Sequence, residues 1–103
     1  MTARIVAEAE LEASEAAQWY EAKEPRLGLE FLEELARAFA AIEEKPASFA
    51  RQEAIRSPKD LRQCILHRFP YVVIFEIRAE ESIIWAVAHG RRKPGYWRKR
   101  LQP

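Results

Sequence analysis

An α+β fold of order β–α–α–β–β–β is what the sequence predicts, and three observations carry that prediction. Residues 8–44 are dominated by good helix formers and interrupted once, at Pro25. Residues 61–89 hold two runs rich in β-branched and aromatic residues, at 71–77 and 82–89, preceded by a candidate strand at 61–68, all joined by short connections. A brief run at 3–7, around Arg4-Ile5-Val6, precedes the helices as a candidate strand.

The first helix is expected over 9–23. Leu11, Ala13, Ala16, Ala17 and Tyr20 are read as one apolar face with Trp19 at its margin, while Glu8, Glu12 and Glu15 point away. Acidic residues at its start suit the helix dipole. The second helix is expected over 28–44, where Phe31, Leu32, Leu35, Ala38, Phe39 and Ile42 recur at three- and four-residue steps. Pro46 ends it, and the few residues between the two make an antiparallel helical hairpin. Trp19, Phe31 and Phe39 are read as core residues.

Residues 45–60 form an irregular segment that Phe49 and Ile55 pin to the core. The strand expected at 61–68 places Arg62, Cys64, Leu66 and Arg68 on one face. Phe69-Pro70 turns it into the 71–77 strand, and Arg78-Ala79-Glu80-Glu81 turns that into the 82–89 strand. Both later runs are apolar at successive positions, so both faces of the sheet are expected to be covered.

A length of 103 residues suits a single domain spanning 1–103, with one modest core. Hydrophobic residues at 49% and charged residues at 32% exclude a disordered chain. No apolar run approaches the ~20 residues of a membrane span, and the N-terminus lacks the apolar stretch of a signal peptide. One cysteine, Cys64, excludes an internal disulfide and reads as a small buried apolar residue. With only His67 and His89 beside it, no metal site is expected. The expected setting is the cytoplasm.

Net charge is +1, but the halves differ: residues 1–60 hold 8 Lys/Arg against 13 Asp/Glu, a balance of −5, and residues 61–103 hold 9 against 3, a balance of +6. Such asymmetry sets a basic surface against an acidic support. Tyr96 and Trp97 lie inside the basic cluster, where they either join a binding surface or cap the open edge of the core. Hydrolytic chemistry has little to work with. The hydroxyls Thr2, Ser14, Ser48, Ser57 and Ser82 lack a nucleophile setting, and Gly28, Gly90 and Gly95 are too scattered for a phosphate loop. What remains is Arg91, Arg92, Tyr96, Trp97 and Arg98, with Arg62 and Arg68 as neighbours, suited to holding phosphates, bases or an acidic protein surface. His89, Arg92 and Tyr96 are the candidate catalytic set if RNA is cleaved, with His89 as proton carrier. No cofactor is implied.

Three words of the sequence, WYEAKEPRLGLEFLEEL, LHRFPYVVIFEI and AVAHGRRKPGYWRKR, together resemble the RelE/ParE superfamily of bacterial toxins, and the likeness covers nearly the whole chain. The resemblance implies two helices packed on one face of a mostly antiparallel sheet. It also implies the toxin half of a type II toxin–antitoxin pair, neutralised by an antitoxin whose flexible segment wraps it. RelE-like members cut messenger RNA in the ribosome, and an arginine of that branch falls at Val72 here. ParE-like members poison DNA gyrase without catalytic residues of their own. The Phe69-Pro70-Tyr71 start and the His89-Gly90-Arg91-Arg92…Tyr96-Trp97 ending resemble the ParE or plasmid-stabilisation branch, so gyrase is the expected target. A ribosome-dependent endonuclease and a non-toxic antitoxin-binding module stay open beside it. DNA would be met only through the antitoxin.

Overall fold

A computed structural model describes residues 1–102. Its elements are β1 (Thr2–Ile5), α1 (Ala7–Lys23), α2 (Leu27–Glu44), β2 (Leu61–Ile65), β3 (Tyr71–Ile77) and β4 (Glu81–His89), with 3₁₀ turns at Pro46–Ser48 and Tyr96–Leu101. The predicted order is the observed one. The sheet runs β1-β4-β3-β2; β2 and β4 lie antiparallel to β3, and β1 lies parallel to β4.

α2 follows its pattern closely, with Phe31, Leu35, Ala38 and Ile42 buried. α1 buries Ala9, Ala13, Ala16 and Ala17, side chains small enough to let its backbone come close to its neighbours. That closeness has a measure at Gly28, where a Cβ would lie 2.4 Å from the carbonyl oxygen of Ala17. Between the helices Arg26 adopts a left-handed conformation, φ 77°. The Glu21 carboxylate accepts the N–H groups of Arg26 (3.0 Å) and Gly28 (3.1 Å). It thereby satisfies donors that a helix start leaves without partners.

Three readings of the helices need correction. Leu11 is 58% exposed. It stands two residues beyond Ala9, about 200° round the helix and so opposite the buried face. Leu32 is likewise exposed, at the edge of the α2 stripe. Trp19 is 58% exposed rather than core, its ring covered by Lys23, whose Nζ lies 4.8 Å from the ring centroid.

The strand expected over 61–68 stops at Ile65. The buried carboxylate of Glu34 accepts the N–H groups of His67 (2.6 Å) and Arg68 (3.4 Å), so a helix side chain satisfies those amides. Beyond Phe69-Pro70 the ladder with β3 and β4 carries the two faces of the core. Val73, Phe75 and Val87 pack under the helices, while Ile74, Ala86 and Ala88 face the other way, with Leu61 and Trp97. Both faces are therefore covered, as the continuous apolar runs predict. The irregular segment contributes to both layers, through Phe49 against Phe75 (5.6 Å, edge-on) and Ile55 beside the Trp97 cluster. It also protects the outer edge of β2: Gln63 N–H donates to Ala50 O and Gln52 N–H to Leu61 O, both at 3.0 Å.

The register shifts between Ile74 and Phe75, which pair with Ala86 and Ile84, leaving Trp85 as the extra residue of a bulge. β1 ends at about this level, with Val6 N–H donating to Ile84 O. Past that point, among the described residues, β4 has no strand on its β1 side, and side chains take over there.

Candidate functional site

The end of β4, the turn after it and the 3₁₀ segment Tyr96–Leu101 bring the late basic and aromatic residues together against α1. His89 Nδ1 accepts the N–H of Arg91 at 2.9 Å, which places the ring proton of neutral His89 on Nε2. Arg92 N–H donates to His89 O (3.0 Å) and Gly90 N–H to Pro70 O (2.7 Å), tightening the turn. Gly95 then reverses the chain with φ 77°, where a Cβ would meet Ile55 Cγ2 at 2.6 Å. Only glycine suits that combination.

Glu12 is the hub of the site, contrary to the expectation that it points into solvent. Its carboxylate accepts the N–H of Val87 at 3.0 Å, the Tyr96 hydroxyl, and both Nη1 (2.8 Å) and Nη2 (2.9 Å) of Arg100. Arg100 Nη1 also donates to Trp85 O at 3.0 Å. Thus Glu12 and Arg100 together close the β4 edge that β1 leaves open. Burial alone would discourage ionisation of Glu12, but the hydrogen bonds from Arg100, Tyr96 and Val87 outweigh it, and its carboxyl sits below the usual range. Burial and the Glu12 carboxylate push the Tyr96 hydroxyl far above its ordinary value, so it keeps its proton near neutrality and is a poor proton donor. The Arg92 guanidinium lies 3.8 Å from the Tyr96 ring centroid.

Between these groups and α1 lies a cleft of about 560 Å³, lined by Glu12, Glu15, Ala16, Trp19, Tyr20, Pro70, Tyr71, Val87, His89, Arg92 and Tyr96. Its aromatic walls meet edge-on, Tyr71 against His89 at 5.1 Å and 84° and Trp19 against Tyr20 at 5.1 Å and 83°. Burial raises the Tyr20 and Tyr71 hydroxyls above their ordinary values.

The structure thus gathers His89, Arg92 and Tyr96 around one cleft, and Arg91 stands exposed in the same turn. The other named residues go elsewhere. Trp97 is 2% exposed and packs on the sheet with Leu61, Ile74, Ala86 and Ala88, so it fills the core. Arg62 is held by Asp60 (2.8 Å) and by the carbonyls of Phe49 (2.8 Å) and Ala47 (3.2 Å), a brace for the irregular segment. Its hydrogen bond also holds the Asp60 carboxyl below its usual range. Arg68 pairs with Glu30 on α2 at 2.7 Å. Arg98 is exposed on the 3₁₀ segment. Sequence reasoning missed Glu12, Trp19, Tyr71 and Arg100 as site residues. Only the position of Glu12 beside the alanine face gave a local signal, and nothing local linked it to Arg100. Among the described residues no group of three His, Cys, Asp or Glu is placed to hold a metal ion, and no helix is long and apolar enough to cross a membrane.

Comparison with known proteins follows the same direction. None of the curated proteins matches the chain. Among solved structures it is similar to one described as "Chromosomal ParDE TA system from P. aeruginosa", with a TM-score of 0.73 at 16% identity, over 86% of this chain and 95% of that one. At that identity the likeness establishes the fold. The model of the family described as "ParE toxin of type II toxin-antitoxin system, parDE" matches residues 4–94, and the chain belongs to that family.

Proposed function

We propose that this type II toxin acts on DNA gyrase, through the basic surface that Arg91, Arg92 and Arg98 present at the end of the sheet. The observation that carries the reading is the engagement of the groups RNA cleavage would require. Tyr96 is bound to Glu12 and held protonated, His89 Nδ1 is occupied by the Arg91 amide, and Val72 stands where the RelE-like pattern has an arginine. A gyrase poison needs a surface, not a proton relay, and three exposed arginines supply one suited to an acidic protein or a phosphate backbone. The Arg92 guanidinium stacks on the Tyr96 ring, and Trp97 anchors in the core the 3₁₀ segment that carries Arg98, while Arg62 and Arg68 are engaged by Asp60 and Glu30. A cognate antitoxin neutralises the toxin in the cytoplasm, one domain comprises the toxin, and DNA is contacted through the antitoxin.

The test is direct. Purified protein is added to gyrase supercoiling reactions and, in parallel, to translating ribosomes with intact mRNA. Inhibited supercoiling with uncut mRNA is the expected result. Ribosome-dependent cleavage that disappears in Arg92→Ala, with gyrase unaffected, replaces this reading with the endonuclease.

A further inference from the structure

Where the irregular segment meets the 3₁₀ segment Tyr96–Leu101, the surface holds a second depression, of about 280 Å³. Arg56 and Lys59 line it from the first segment and Arg98 from the second, and no Asp or Glu is in its lining. Among the described residues none of the three makes an ion pair, and none lies over an aromatic ring. Arg62 and Arg100, by contrast, are consumed by the fold. Asp60, next to Lys59 in sequence, is matched by Arg62 at 2.8 Å and Arg51 at 3.9 Å, and Glu53 is exposed and outside the lining. Three like charges around one hollow repel one another, and an anion seated there removes the repulsion.

The walls are fixed although one of them has no regular structure. Gln52 Nε2 donates to Ile55 O at 2.7 Å, and its Oε1 accepts the N–H groups of Ala54 (2.9 Å) and Ile55 (3.1 Å). Ile55 packs with Trp97 and Leu101, so the two walls share one apolar cluster. The Ser57 hydroxyl oxygen accepts Lys59 N–H at 3.1 Å, which leaves the hydroxyl proton free to donate, and the Gln102 amide is exposed on the other wall. The lining thus offers three cations and two neutral donors on a frame that needs no rearrangement to use them.

The number of charges decides the class of anion. A carboxylate brings one charge on two oxygens, whereas a phosphate monoester brings about −1.5 to −2 on three. Arginine also meets phosphate with two parallel hydrogen bonds. In size the depression falls just below the pockets that enclose a drug-sized ligand, so it suits a charged head with the rest of the molecule outside.

We propose that Arg56, Lys59 and Arg98 form a binding site for a terminal phosphate or diphosphate, as carried by a nucleotide. The site assumes nothing about the toxin's target. Arg98 links it to the basic surface of the gyrase reading, so an occupant would screen one of that surface's three arginines.

The test follows the backbone amides of the isotope-labelled full-length protein by NMR during titration with inorganic pyrophosphate. Saturable shifts at residues 55–59 and 98–102 are expected. In Arg56→Gln/Lys59→Gln the affinity should fall about tenfold or more, with the unfolding midpoint unchanged because neither side chain is in an ion pair. Lys93→Gln removes one charge outside the depression and should bind as the parent does. Absence of these shifts in the millimolar range overturns the proposal, as does undiminished affinity in the double variant or a response confined to residues 91–93. A triglutamate peptide that binds the same amides as tightly as pyrophosphate overturns the choice of phosphate. So does a short DNA duplex that shifts them where pyrophosphate does not. Pyrophosphate binding by a parent that leaves gyrase uninhibited upholds the site and removes only the gyrase target.

Discussion

Glu12 and Arg100, 88 residues apart in sequence, meet in a two-pronged ion pair of 2.8 and 2.9 Å. The pair ties the first helix to the last turn of the chain, and Arg100 reaches on to Trp85 O at the bulge of β4. One contact thereby fixes the basic 3₁₀ segment relative to the helical hairpin and closes a sheet edge. The geometry matches the fork of a guanidinium to the two oxygens of a carboxylate.

Glu12→Gln should cost about 2–4 kcal/mol of stability, somewhat below a fully buried pair because both side chains keep some solvent contact. Urea denaturation of parent and variant provides the measurement. A loss under half a kcal/mol would show that the clamp contributes little.

The same residue sets an acid dependence. The folded-state pKa of Glu12 lies below its ordinary 4.5, so its stabilisation is fully present above that value and is lost as pH falls through the folded pKa. The stability gap between parent and Glu12→Gln should be constant from neutrality down to about pH 5 and close progressively below it. A gap that stays constant in acid would contradict the assigned ionisation.

Trp97→Ala should act as a core substitution, costing about 3–5 kcal/mol through the lost burial and the cavity it leaves. Arg98→Ala, one residue on and exposed, should stay within about 0.5 kcal/mol of the parent in stability. It should instead weaken gyrase inhibition. Thermal unfolding and supercoiling assays on the two variants separate packing from surface, and equal unfolding midpoints would refute the core assignment.

Gly28→Ala should destabilise by about 1–3 kcal/mol despite the better helix propensity of alanine. Its new methyl group would sit 2.4 Å from the Ala17 carbonyl oxygen, backbone that cannot swing aside. Stabilisation in a denaturant melt would mean that the helices separate freely.

Much of the fold was legible in the sequence because its signals are local. The spacing of Phe31, Leu35, Ala38 and Ile42 dictates a buried helical stripe whatever lies beneath it. The apolar runs at 71–77 and 82–89 dictate strands covered on both faces. The late cluster of cations and aromatics was also visible as a composition. What tertiary structure alone decided was the partition of that cluster. Trp97 goes into the core because the second face of the sheet needs a cover, and Arg62 goes to carbonyls of an irregular segment with no regular period to read. Glu12 turns from a solvent-facing acid into the hub of the site because β1 stops short and leaves the Val87 N–H to be satisfied. Trp19 stays outside because α1 buries a stripe of alanines, too narrow to include it. Periodicity determines which face of an element is apolar; the meeting of distant elements determines which polar groups need partners, and hence where the chemistry sits.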